Sequence, residues 1–243
     1  MRIGVLFSSG KDSTFSLWYY LEQGWDVACL LSLLPENPDS YMFQQPSEAL
    51  LRLQAESLQI PLLVGKTPGR EEEELAELKD LLARAKEEYG LEGIAAGALA
   101  SDYQQERINR ICHTLGLKTY APLWHKNQER LLRDLITAGF DLRMTRIAAD
   151  GLTKEWLGKR LVLADVDRLV RLGKLLGLAV GGEGGEFESI VLDGPIFAFP
   201  IAIEAETVME SEHRGELRLL KVEMAREVKS AEKTRKTPRD GRD

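Results

Sequence analysis

Cysteine is nearly missing from this chain: Cys29 and Cys112 are the only two in 243 residues, and both sit in apolar stretches. That scarcity excludes a disulfide framework, a C-x-x-C redox pair and a thiolate zinc site. Histidine is as sparse, and His113, His125 and His213 are too scattered to form a metal pattern. No apolar run approaches the length of a membrane span, and the first residues lack the regions of a signal peptide. A cytoplasmic location without membrane association is therefore expected. Positive charge is also short: 32 Lys and Arg face 39 Asp and Glu, a net charge of −7. That balance argues against bulk nucleic-acid binding through charge.

What is present is a regular alternation. Residues 2–7 read as a strand and 12–23 as a helix closed by Gly24. Residues 26–34 form an almost unbroken apolar run, as in a strand buried on both faces of a parallel sheet. Helices over 47–58, 70–89 and 101–115 then alternate with strands over 60–65, 93–96 and 118–121. The acidic run Glu71 to Glu74 reads as a solvated first turn of its helix. Five strands and four helices predict an α/β fold, a doubly wound five-stranded parallel sheet, whose ligands bind beyond the carboxyl ends of the strands. After Pro122 the pattern changes, with helices over 128–138 and 164–176 and strands over 141–147, 189–192, 201–206 and 216–222. The expected division is 1–121 for the parallel-sheet domain and 122–222 for a second, smaller α/β domain. Residues 223–243 form a charged tail with no core pattern, expected to be disordered.

The loop between the first strand and helix, Ser8-Ser9-Gly10-Lys11-Asp12-Ser13, has the composition of an anion site. Free backbone N–H groups and the positive end of a helix dipole converge there, and Lys11 adds a full charge. A Walker A loop is excluded, because five residues rather than four separate Gly4 from Gly10 and Asp12 follows the lysine. The dinucleotide fingerprint fails too, since the turn has one glycine. The six residues are read as the pyrophosphate-binding loop of an ATP-using enzyme, with Lys11, Asp12 and Ser13 as its catalytic part. The plainer alternative is a serine-rich helix cap with no ligand.

Two further stretches bear on chemistry. Gly97, Ser101, Asp102, Gln104 and Arg107 follow the fourth strand and would reach the same sheet edge, unless they only cap a surface helix. In Gly181-Gly182-Glu183-Gly184-Gly185-Glu186-Phe187-Glu188, three carboxylates crowd one turn and call for a positive partner. Mg2+, ammonium or a substrate cation would serve; a wide solvated hairpin is the alternative.

Ser8, Gly10, Asp12 and Ser13 match the S-G-G-x-D-S loop of the PP-loop ATPases, with Ser9 in place of the first glycine. The loop, S-D-Y-Q-Q-E-R at Ser101, P-L-W at Pro122, W-L-G-K at Trp156, G-E-G-G-E-F-E at Gly182 and L-D-G-P at Leu192 occur in this order. This resembles the diphthine–ammonia ligase family. The resemblance implies a sheet of PP-loop/HUP type, with ATP and Mg2+ as cofactors. The metal would be carried mainly by the ATP phosphates, with Asp12 as an optional ligand. The implied reaction adenylates the carboxylate of diphthine on elongation factor 2, releases pyrophosphate, and lets ammonia displace AMP to give diphthamide. It assigns catalysis to Lys11, Asp12, Ser13, Glu183 and Glu186, and substrate binding to Trp124, Trp156, Gly184, Gly185 and Glu188. The glutamates and tryptophans would face the trimethylammonium group of diphthine. A homodimer is compatible with the family. Ammonia would come from solution or a separate protein, because no Cys nucleophile pairs with a His. Ser9 and Gln44, where a His is expected, depart from the family pattern. A PP-loop tRNA-modifying enzyme and a non-catalytic nucleotide sensor are the rival readings.

Overall fold

The computed structural model describes residues 1–35, 47–68, 73–97 and 102–225. Strand β1 (Arg2–Leu6) lies at the centre of a five-stranded sheet with β2 (Asp26–Pro35), β3 (Leu62–Thr67), β4 (Gly93–Ala95) and β5 (Lys118–Tyr120), in the order β3-β2-β1-β4-β5. Every pairing is parallel. The chain runs outward from β1 through β2 to β3, then returns to β4 on the other side. The loop after β1 thus opens at the point where strand order reverses, the usual crevice for a ligand.

Helices α1 (Lys11–Glu22), α2 (Glu48–Leu58), α3 (Glu73–Tyr89) and α4 (Asp102–Thr114) cover both faces. Leu17 of α1 and Leu50 of α2 pack with Ile3, Val5 and Leu30 on one side. Leu78 and Leu82 of α3 and Ile108 and Cys112 of α4 pack with Leu31 and Ile94 on the other. Ser47 caps α2, its Oγ accepting the Leu50 N–H at 3.4 Å. The doubly wound sheet is as expected. One detail differs: Glu74, read as solvated, is buried.

The second sheet is antiparallel, ordered β7-β6-β9-β8, from β6 (Asp141–Ala148), β7 (Phe187–Asp193), β8 (Ile201–Ser211) and β9 (Arg214–Met224). Helices α5 (Gln128–Thr137) and α6 (Leu163–Leu176) accompany it. Strands β8 and β9 form a longer ribbon than the sequence suggests, closed by a two-residue turn and paired from Ser211–Arg214 to Ile201–Met224. Its half-exposed strands carry little hydrophobic contrast, so their polar ends read as loop. Glu223 and Met224, expected in the tail, belong to β9.

The larger core cluster joins the two sheets: Ile3, Leu17 and Leu50 share it with Leu132, Phe140, Leu142, Val191 and Ile201. Among the described residues no helix is long and apolar enough to cross a membrane.

Candidate functional site

The loop after β1 turns through Ser9, which has φ +68°. α1 begins at Lys11 with Gly10 as an N-cap that contributes no side-chain bond. By position, the N–H groups of its first turn lack intrahelical acceptors. The Lys11 N–H donates to Ser189 Oγ of β7 at 3.3 Å. Ser13 works inside the loop: its Oγ donates to the Gly10 carbonyl at 3.1 Å and accepts the Ser8 N–H at 3.2 Å. Ser8 Oγ lies 3.3 Å from the same hydroxyl.

Ser9 explains the shape of this turn. Its carbonyl accepts the Val191 N–H at 3.0 Å and Gln54 Nε2 at 3.3 Å. Gln54 also donates to the Val191 carbonyl at 2.7 Å, so one buried amide stitches the loop to β7. Sequence reasoning missed Gln54. The signal was there: it is a polar residue on the apolar side of α2, beside Leu50, Ala55 and Leu58. Ser9 itself is fully buried, and its Oγ has no hydrogen-bond partner. Positive φ costs a non-glycine residue about 1 kcal/mol, and an unpaired buried hydroxyl adds a similar penalty. Ser9→Gly should therefore stabilise the protein by about 1 kcal/mol after the flexibility of glycine in the unfolded chain is subtracted. The expected readout is a higher urea midpoint at unchanged slope.

Lys11 is the centre of charge. Its Nζ lies 2.5 Å from Asp12 Oδ2 and 3.7 Å from Glu183 Oε1, and its side chain is only 8 % exposed. The Phe187 ring centroid is 5.7 Å from the same nitrogen. Glu183 has its backbone on an open turn, but its side chain is 23 % exposed. Burial, and then the negative charge of Asp12, push its carboxyl up to about 7 against the pull of Lys11.

The glycine-rich turn delivers Glu183 to this place. Glu186 acts as its internal staple: one carboxylate oxygen accepts the Ala179 N–H at 2.9 Å and the other the Gly184 N–H at 2.8 Å. Gly182 and Gly185 have φ of +78° and +83°, and a Cβ on Gly184 would meet the Glu186 carboxylate. The Gly181 N–H donates to Gln128 Oε1 at 2.9 Å, fixing the turn to the start of α5. Glu186 thus positions the turn and does not offer a free carboxylate to a ligand.

Two residues expected at the substrate lie elsewhere. Glu188 alternates with Phe187 and Ser189 on β7 and so points to the other face of the sheet. There it pairs with Arg146 at 3.6 Å, and burial raises its carboxyl pKa. Trp156 is fully buried, with Lys159 Nζ and Arg168 Cζ at 5.0 and 4.6 Å from its ring centroids, so its cation-binding capacity is already used. Trp124 is half-buried in the turn after β5, its ring 4.8 Å from His125. Its neighbour Leu123 lines a small cavity with Lys11, Asp12, Gln128 and Gly181, but Trp124 itself does not line it.

Gly97 follows β4 and lies against the loop. A Cβ there would sit 2.7–2.9 Å from backbone atoms of Asp12 and Ser13. Asp102 and Gln104 lie in the first turn of α4, and Arg107 is half-buried one turn on. Ser101, Gln44 and the side chains of Asp102 and Gln104 lie outside the described residues. Burial pushes the thiols of Cys29 and Cys112 up to about 12, so neither is a nucleophile.

The arrangement fits a phosphate chain with its metal. Two carboxylates on one ammonium leave an excess of negative charge that a divalent cation would offset. Among the described residues, however, no group of three or more His, Cys, Asp or Glu could hold a metal ion. Such an ion would need phosphate oxygens for most of its shell.

Residues 1–119 match the family described as diphthamide synthase N-terminal domain, and residues 127–228 match the diphthamide synthase C-terminal domain. A mouse protein named diphthine–ammonia ligase is 36 % identical over 231 residues, covering 87 % of this chain and 86 % of that protein. The Schizosaccharomyces pombe protein of the same name is 36 % identical over 238 residues; the match covers 91 % of this chain and 39 % of that longer protein. A solved structure from Methanocaldococcus jannaschii, described as a predicted subunit of tRNA methyltransferase, aligns over 80 % of this chain and 98 % of its own. At 19 % identity and a TM-score of 0.44, it carries no functional weight. With more than a third of positions identical to the mouse ligase over most of both chains, the protein belongs to the diphthine–ammonia ligase family, enzymes that form a C–N bond.

Proposed function

We propose that the protein activates the carboxylate of diphthine on elongation factor 2 with ATP and amidates it with ammonia, giving diphthamide, AMP and pyrophosphate. The observation that carries this reading is the convergence on Lys11 of Asp12, from the first turn of α1, and Glu183, from the glycine-rich turn before β7. ATP supplies the AMP leaving group that a bare carboxylate lacks. Lys11 and the first-turn N–H groups of α1 stabilise charge as it builds on the departing pyrophosphate. Asp12 would hold Mg2+, with the phosphates supplying its other ligands. Glu183 takes the proton that the nitrogen of ammonia sheds as its lone pair forms the C–N bond and the C–O bond to AMP breaks.

Pyrophosphate release should require diphthine-bearing elongation factor 2, with ammonia needed in addition for repeated turnover. Release that answers to tRNA instead would point to a tRNA-modifying enzyme, and ATP binding without release to a sensor.

The role of Glu183 has a signature in pH. Its activity as a proton acceptor should rise as pH passes about 7, and Glu183→Gln should remove that limb from the profile. Stability moves the other way. A carboxyl raised from 4.5 to about 7 in the fold binds its proton more tightly there than in the unfolded chain. The stabilisation is complete below pH 4.5 and lost as pH rises through 7. Ligand-free Glu183→Gln should therefore match the parent at pH 4 and exceed it by about 2–3 kcal/mol at pH 8, measured by urea unfolding at both values.

A further inference from the structure

A second concavity lies on α1, away from the loop. The groove between the last turns of α1 and α5 has a volume of about 440 Å³, within the range of small-ligand sites. Phe15, Trp18 and Tyr19 make one wall; Glu22, Asp134 and Thr137 complete it, and among the described residues no Lys, Arg or His lines it. The Trp18 ring is held edge-on by Phe15 and Phe140 at 5.5 and 5.4 Å, while Tyr19 remains 42 % exposed. Trp18 Nε1 donates to Glu22 Oε1 at 3.2 Å, which leaves the other carboxylate oxygen for a ligand.

Backbone electrostatics point the same way. α1 ends at Glu22 and α5 at Thr137, and neither has a basic residue in its last turn. Two negative dipole ends therefore meet at the groove without a basic residue of their own last turns to offset them. Arg130 approaches Asp134 only to 3.8 Å between two well-exposed side chains, and such a pair holds weakly.

We propose that this groove docks an arginine side chain of the protein that carries the reacting carboxylate. The inference rests on the reading above that the substrate group is borne by a protein. An aromatic wall beside two carboxylates suits a guanidinium, which stacks by its face and pairs by its fork. The groove cannot serve a cation attached next to the reacting carboxylate. Seven residues of α1 separate Lys11 from Trp18, about 10 Å at the helical rise. It is a second foothold for the same partner.

The test uses the full chain with its four tryptophans labelled at the indole nitrogen, the Trp18 signal being assigned with Trp18→Phe. Titration with N-acetyl-arginine amide should move that signal saturably. In Glu22→Gln/Asp134→Asn the apparent Kd should weaken about fivefold to tenfold. The neutral citrulline amide should leave it in place. With the protein substrate, the same double variant should raise KM about tenfold and leave kcat unchanged. The proposal is overturned if the arginine probe leaves Trp18 unmoved, if citrulline moves it equally, or if tetramethylammonium binds more tightly than arginine. It is also overturned if deleting residues 226–243 alone shifts the signal, which would give the groove to the chain's own basic end. The titration needs neither ATP nor elongation factor, so its failure is separate from failure of the proposed reaction, which pyrophosphate release reports.

Discussion

Lys11→Met should lower pyrophosphate release about 100-fold to 1000-fold while leaving the protein folded. The methionine stem fills the same space beside Phe187, so packing changes little. What is lost is the one cation that, among the described residues, pairs with both Asp12 and Glu183. Those carboxylates already have an outlet, since Asp12 is partly exposed and Glu183 takes up a proton near neutrality. The loss should therefore fall on the transition state, where charge on the leaving pyrophosphate is greatest, and appear in kcat more than in the KM for ATP. Single-turnover pyrophosphate release measures it. A variant within tenfold of the parent would move the catalytic cation elsewhere.

Gly97→Ala should cost about 3 kcal/mol of stability and most of the activity. The contacts that decide this are with backbone: the added carbon would stand 2.7 Å from the Asp12 carbonyl carbon and 2.8 Å from the Ser13 nitrogen. A flexible side chain could swing aside, but a helix start held by Ser189 and Ser13 cannot do so without dragging the loop. Gly185 gives the contrast. Its φ is positive but nothing lies within 4 Å of its missing Cβ, so Gly185→Ala should cost only about 1 kcal/mol. Thermal and urea unfolding of the two variants, with release assays beside them, would separate displacement of the site from simple strain.

The parallel sheet was legible because strands buried on both faces leave long apolar runs, and because Ser8 to Ser13 fall just where the first run stops. The strain at Ser9 was legible as well, since a glycine position in such a turn calls for positive φ. The second site stretch was only half legible. Its sequence brought Glu183, Glu186 and Glu188 together as equals, but pleating turns Glu188 to the far face, and the turn consumes both oxygens of Glu186. Trp156 shows the limit of residue type as a guide, because an aromatic fit to bind a cation has already been given two by its own chain. Gln54 shows locally only as a polar residue on an apolar helix side, while the groove beside Trp18 depends on how distant helices meet, which no local pattern records.

The loop after β1 is finished by hydrogen bonds from a strand about 180 residues later: Val191 completes Ser9, and Ser189 completes Lys11. A fragment ending after β5 would contain every residue of the loop and still present it unlatched, with Leu17 and Leu50 stripped of their partners from the second sheet. Melting and nucleotide affinity then become two readings of one equilibrium. A substitution that loosens β7, however far from ATP, would register as weaker binding, and bound nucleotide would protect β7 amides from hydrogen exchange.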